Sequence, residues 1–243
     1  MLELKDVTKK YLRRTALDGV SLQIEAGKTC LLLGPNGSGK TTMMKLIAGL
    51  ARPTSGEITL NGTPIGKQTK ARVAYMPTEN YFYNYMTVRD IGKYYADFFD
   101  DFDPARYSRL LTDMELEPQD NIRQLSSGMA AKLRLSLTLS RDAQLMMFDE
   151  PLNGVDILTR TQTIDAILAG RRQGRTMLIS THLVDELEDV VDTTVFLKKG
   201  KLVMAGEKKQ ICAGRTLKDL YIEVYGHASA DPEHAREEVG NNA

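Results

Sequence analysis

Three sets of residues in this chain have the types and spacing to do chemistry on a phosphate group. The first is Gly34-Pro35-Asn36-Gly37-Ser38-Gly39-Lys40-Thr41-Thr42, which fits G-x-x-x-x-G-K-[ST]. It follows an apolar run at 29–33 and precedes a helical pattern at 43–50, the strand–loop–helix context this motif requires. The glycines let the backbone curl so that several N–H groups face one anion, and the dipole of the new helix adds to the field. Lys40 is spaced to reach the β- and γ-phosphates of a nucleotide, and the Thr41 hydroxyl to hold Mg²⁺. The second set is Asp149-Glu150, two carboxylates after the apolar residues 145–148. At the carboxyl edge of a buried strand Asp149 would act on Mg²⁺, and Glu150 would take a proton from an attacking water. An Asp-Glu pair ending a strand is commonly just two solvated acids; the phosphate loop upstream favours the site reading. The third is His182, which ends another apolar run at 176–180 on the same expected edge.

Weaker signals accompany these. Tyr11 lies in a Lys- and Arg-rich, loop-like stretch between strands at 2–7 and 20–24, where its ring could stack on a nucleobase. Leu125-Ser126-Ser127-Gly128-Met129 opens a helix that runs to about 140. Its serines suit plain N-caps or a second anion-binding helix start.

The elements that must position these groups can be read in order. Residues 57–61 alternate as a strand before the Asn61-Gly62 turn, and 72–76 read as a strand ended by Pro77. The loop holding Tyr81, Phe82, Tyr83 and Tyr85 has no period. It is either a set of rings folded onto the core or a protein-binding surface, since tyrosine and phenylalanine concentrate at interface centres. Helices are expected over 87–99 with Thr87 as N-cap, over about 104–115, over about 157–173 and over 183–191. The acidic run Asp100-Asp101-Phe102-Asp103 reads as a turn and cap, since it lacks the glycine and distal Glu of an EF-hand loop. Residues 193–197 and 201–205 flank Lys199-Gly200 as a hairpin would. The block 78–140 is helical and carries no parallel strand of its own, so it reads as an insertion between strands. From about 227 on, the composition is that of a polar, unpatterned tail. No internal repeat or low-complexity tract appears.

Composition bounds the class. The chain has 243 residues, enough for one large α/β domain, with 32 Lys+Arg against 32 Asp+Glu. That balance argues against a nucleic-acid partner. Cys30 and Cys212 have no metal spacing, and usage this sparse fits a reducing compartment. The start of the sequence does not read as a signal peptide, and no apolar run approaches the roughly 20 residues that span a bilayer.

Taken together and in this order, phosphate loop, aromatic loop, LSSGM, FDE and strand-terminal His resemble the ATP-binding subunit of ABC transporters over nearly the whole chain. The resemblance implies a P-loop NTPase core with a mostly parallel α/β sheet, an N-terminal antiparallel β subdomain and an inserted helical subdomain. One ABC ATPase domain would cover 1–226, with the insertion at about 78–140 and a flexible tail at 227–243. It implies that Tyr11 stacks on adenine, that Gly34 to Thr42 is the Walker A motif, and that Leu125 to Met129 is the signature motif. Asp149 ends Walker B, Glu150 is the catalytic glutamate, Asp156 belongs to the D-loop and His182 is the switch histidine. The implied cofactors are ATP and Mg²⁺. The implied partners are a second ATPase subunit, whose Ser126 and Gly128 close on the γ-phosphate held here, and a separate transmembrane permease. That places the protein in the cytoplasm, on the inner face of the membrane. The 98–103 stretch looks like the subgroup serving small bacterial ABC-2 and antibiotic exporters.

The chain departs from the family pattern at three points. Thr78 stands at the position of the Q-loop glutamine, a metal-linked residue, with Glu79 and Asn80 as possible substitutes. Ser127 and Met129 replace the usual glycine and glutamine of the signature, and Asn153-Gly154-Val155 precedes Asp156. Two other readings fit the same residues: a soluble ABC-type ATPase of the iron–sulfur assembly kind, and an ATP-sensing module with little turnover.

Overall fold

The computed structural model describes residues 1–171 and 175–226. The expected tail at 227–243 lies outside the described residues. The chain runs through β1 (Leu2–Tyr11), β2 (Arg14–Ile24), β3 (Thr29–Leu33), α1 (Lys40–Ile47), β4 (Ser55–Leu60), β5 (Thr63–Pro64), α2 (Lys67–Lys70) and β6 (Val73–Met76). The helical stretch α3 (Val88–Phe98), α4 (Pro104–Asp113) and α5 (Ser127–Leu139) follows. Then come β7 (Leu145–Asp149), α6 (Ile157–Gly170), β8 (Thr176–Thr181), β9 (Thr193–Lys198), β10 (Lys201–Glu207), α7 (Lys208–Cys212) and α8 (Leu217–Gly226).

Among the described residues the strands form two sheets. One is antiparallel with order β2-β1-β4-β5; the other has order β10-β9-β3-β8-β7-β6 and is parallel except for β10. Both faces of the larger sheet are covered, so its strands read as continuous apolar runs. Alternation splits each strand between two cores. Cys30 and Leu32 of β3 and Leu145 and Met147 of β7 face the core shared with α1 and the antiparallel sheet. Leu31, Leu33, Met146 and Phe148 face the core shared with the inserted helices. Burial pushes the Cys30 thiol up to about 12, so it packs as a neutral apolar group.

Helices α3 to α5 fall between β6 and β7, and their ends carry the caps expected for them. Thr87 caps α3 by accepting from Asp90 N at 3.2 Å, and Asp90 returns a bond to Thr87 N at 3.1 Å. Asp103 caps α4, with Pro104 in its first turn. In α5, Leu133, Leu135, Leu137 and Leu139 are buried together with Arg134, Ser136 and Thr138 between them, so this helix is enclosed on every side.

Three local expectations are corrected. Tyr11 is not in a loop: it ends β1 and pairs with Arg14 across a two-residue turn in which Leu12 adopts φ +44°. The segment 183–191 forms only a 3-10 turn over Glu188–Val190, and the Glu188 carboxylate accepts from Leu217 N at 2.8 Å. Beyond the last hairpin, α7 and α8 add helical structure that the sequence reading omitted.

Candidate active site

Four strands deliver their carboxyl ends to one edge of the parallel sheet, where α/β folds bind ligands. The phosphate loop follows β3, Thr78 follows β6, Asp149 ends β7, and His182 follows β8. A cleft of about 500 Å³ opens there between the loop and the tip of the β1–β2 hairpin. Asn36 to Thr42, Tyr11, Thr78, Asp149 and Glu150 line it, and His182 does not.

The loop is built around its lysine. Lys40 Nζ donates to Gly34 O at 2.7 Å and Pro35 O at 3.4 Å, and lies 3.0 Å from Glu150 Oε1. Both side chains of that pair are nearly buried, at 5% and 10% exposure, so each charge depends on the other for its compensation. Glu150 reaches this position with a left-handed backbone, φ +49°, held because its N–H bonds Ser180 O at 3.1 Å and Ser180 Oγ at 3.0 Å. His182 Nδ1 sits 2.9 Å from Glu150 Oε2, a hydrogen-bonding distance to the carboxylate. Lys40, Glu150 and His182 therefore form one polar chain.

Asp149 is fully buried. Ser180 Oγ donates to its Oδ1 at 2.6 Å and Tyr75 OH to its Oδ2 at 3.1 Å. Burial, and next the negative charge of Asp149, push the Tyr75 hydroxyl well above its ordinary pKa, so it stays a donor. Thr78 Oγ1 donates to Asp149 O at 3.1 Å, which ties the residue at the Q-loop position to the strand end. Of its two possible substitutes, Glu79 lines the cleft, whereas Asn80 accepts from Arg134 of α5.

The site fits a triphosphate and a hard cation on three observations. Helix α1 begins at Gly39 with no side-chain cap. Ser38 Oγ in the loop is buried without a hydrogen-bond partner. Thr41 and Asp149 offer oxygen ligands of the kind Mg²⁺ takes.

Ser126, Gly128 and Asp156 are brought together elsewhere. Ser126 Oγ accepts from Met129 N at 3.2 Å at the start of α5. A Cβ on Gly128 would stand 3.9 Å from Asp156 Oδ2. Asp156 caps α6, and its bonds from Thr159 N at 3.0 Å and Thr159 Oγ1 at 2.8 Å hold its carboxyl below the usual range. None of these three lines the cleft. Reading the sequence missed Tyr75 and Ser180, because their parts depend on strand neighbours that no local motif marks. It also missed Tyr225 of α8, whose hydroxyl lies 3.1 Å from Leu33 O and 2.9 Å from Leu197 O at the root of the phosphate loop.

Residues 17–153 match the ABC transporter family. The chain belongs to that family. An ABC transporter ATP-binding protein of Synechocystis is 33% identical over 204 residues, covering 81% of this chain and 58% of its own length. The chain therefore spans little more than half of that relative. The lantibiotic transport ATP-binding protein SrtF of Streptococcus pyogenes is 29% identical, covering 91% of this chain and 96% of its own. A solved ATP-binding subunit of an ABC transporter superposes with a TM-score of 0.83 at 28% identity, covering 92% of this chain and 99% of that one. The cleft lies at the edge of the larger sheet beside α1, and α3 to α5 fall between β6 and β7 in the chain. No helix among the described residues is long and apolar enough to cross a membrane.

Phe82 packs on the core, and Tyr81 OH meets Tyr95 OH at 2.5 Å. Tyr83 and Tyr85 stack on each other at 5.6 Å and stay exposed.

Proposed function

We propose that this chain is the ATP-binding and ATP-hydrolysing subunit that powers an ABC transporter, acting as an exporter through ATP-driven dimerisation. The observation that carries the reading is the Lys40–Glu150–His182 chain beside Asp149 at the mouth of the phosphate loop. Tyr11 stacks on adenine, the amides from Asn36 to Thr42 cradle the phosphates, and Lys40 exchanges its carboxylate partner for phosphate oxygens. Once released, Glu150 takes a proton from a water whose oxygen attacks the γ-phosphorus, and the bond to the oxygen that stays on ADP breaks. His182 holds the Glu150 carboxylate in place during this step. Thr41 and Asp149 hold Mg²⁺, which supplies charge neutralisation on the phosphates when bound.

The same reading makes the cleft half of a site. Ser126 and Gly128 of a second subunit close on the γ-phosphate, and Asp156 supports that contact from the start of α6. The groove beside 78–85, lined by Glu79, Asn80, Tyr81, Tyr95 and Phe99, receives the cytoplasmic helix of a separate permease. This places the chain on the inner face of the membrane. Export is favoured by the likeness to a Nod factor export ATP-binding protein of Burkholderia orbicola, 28% identical over 246 residues that cover 98% of this chain and 80% of its own length.

Glu150→Gln removes the base and keeps the shape. At saturating ATP and Mg²⁺ it is expected to elute from a sizing column as a dimer, with phosphate release down at least about a hundredfold. A variant that stays monomeric there contradicts the mechanism. Retention in native membranes with a co-purifying permease supports the transporter reading; a protein found only with soluble partners argues for a soluble ATPase instead.

A further inference from the structure

We infer that Arg14 is a phosphate ligand of this site, contacting the part of the nucleotide between base and terminal phosphate that ATP and ADP share. The inference rests on the nucleotide reading above. Tyr11 and Arg14 are direct cross-strand partners at the end of the β1–β2 hairpin, so their side chains stand on one face, and both line the cleft. Arg14 Nη2 crosses to the phosphate loop and donates to Gly37 O at 3.2 Å. Gly37 has φ +78°, and a Cβ there would come within 3.1 Å of the same nitrogen, so the loop leaves room for the guanidinium at its rim.

A guanidinium has five N–H donors in a planar fork. Among the described residues, Arg14 bonds Gly37 O and has no carboxylate partner. Its remaining donors and its full charge are available to a ligand. The position decides which part of the ligand that is. With the base on Tyr11 and the β- and γ-phosphates against Lys40, the chain between them passes the hairpin tip. Arg14 is the cation of that tip inside the cleft, and the α-phosphate is the nearest anion the path offers it. Such a contact forms equally with di- and triphosphate, and it does not form with a nucleoside.

The test measures equilibrium binding of ATP, ADP and adenosine to the wild-type chain and to Arg14→Ala, Arg14→Lys and Tyr11→Ala. Arg14→Ala is expected to weaken ATP and ADP by a similar factor of about ten or more and to leave adenosine unchanged. Arg14→Lys, which keeps the charge and loses the fork, is expected to recover part of that loss. Tyr11→Ala is expected to weaken all three. Unchanged ATP and ADP affinity in Arg14→Ala overturns the inference. So does an equal loss for adenosine, which would make Arg14 a prop for the Tyr11 hairpin. A wild-type chain that binds no ATP fails the nucleotide reading itself, a result distinct from either of these.

Discussion

Helix α1 starts at Gly39 with a positive φ and no side-chain cap, whereas α5 starts at Ser126, whose hydroxyl accepts from Met129 N. Both starts are rich in serine and glycine, and both suit an anion. The first leaves its leading amides to a ligand from outside the helix and sits inside the cleft. The second satisfies one amide by itself and lies away from the cleft, beside Asp156. Their glycines differ in the same way. Gly39 is required by this chain: φ is +111°, and a Cβ would stand 2.7 Å from Ala16 O and 2.8 Å from Leu17 Cδ2. Gly128 has no such demand, because the nearest atoms to its Cβ position are at ordinary contact distance. A residue kept small without an internal reason points to something approaching from outside, which is the role the proposed dimer gives it.

Substitutions can break this contrast in order of effect. Gly39→Ala is expected to abolish ATP binding, with affinity down more than about a hundredfold in a titration of the isolated chain, because strain and a backbone clash act together. Gly128→Ala is expected to split two readouts. Sedimentation should show ATP-driven dimerisation lost in a Glu150→Gln background. The melting temperature should rise by about 2 °C, since alanine is the better helix former by up to about 1 kcal/mol. Loss of stability instead would show that Gly128 serves its own fold. The smallest effect belongs to Ser126→Ala, which removes a cap worth about 1 kcal/mol and should lower the melting temperature by about 2–4 °C. Monomer affinity for ATP should be unchanged in that variant; a tenfold loss would mean that α5 shapes the cleft of its own subunit.

The core of the site was legible because its chemistry is local. Gly34 to Thr42 carry their geometry in consecutive residues, and Asp149-Glu150 and His182 are marked by the apolar strands before them. The caps Thr87 and Asp103 were legible for the same reason. What escaped was decided by distant partners. Strand β1 continues to Tyr11 because β2 pairs with it through Arg14, a pairing hidden by a run of charges with no alternation. The stretch 183–191 has a helical pattern, but Asp185 pairs with Lys218 and Glu188 with Leu217 N, so its side chains are held by α8. The lesson of Asn80 is similar: its amide looked free to serve the cleft, and Arg134 takes it. Helix α8 was legible in principle and passed over: Leu217, Leu220, Tyr221, Val224 and Tyr225 stand at i, i+3, i+4, i+7 and i+8, one regular apolar face on the core.

The placing of β3 also governs how the protein comes into being. This strand is made early, yet its neighbours in the sheet are β8 and β9, and Tyr225 joins at its end. Leu33 and Tyr225 are 192 residues apart. A ribosome adding about 5–20 residues per second needs on the order of 10–40 s to cover that distance. Through most of that interval the nascent chain carries Thr29–Leu33, a strand destined for complete burial, without its neighbours β8 and β9. The sheet edge that carries the phosphate loop is therefore complete only once β8 and β9 have been made, so the nucleotide cleft forms late in synthesis.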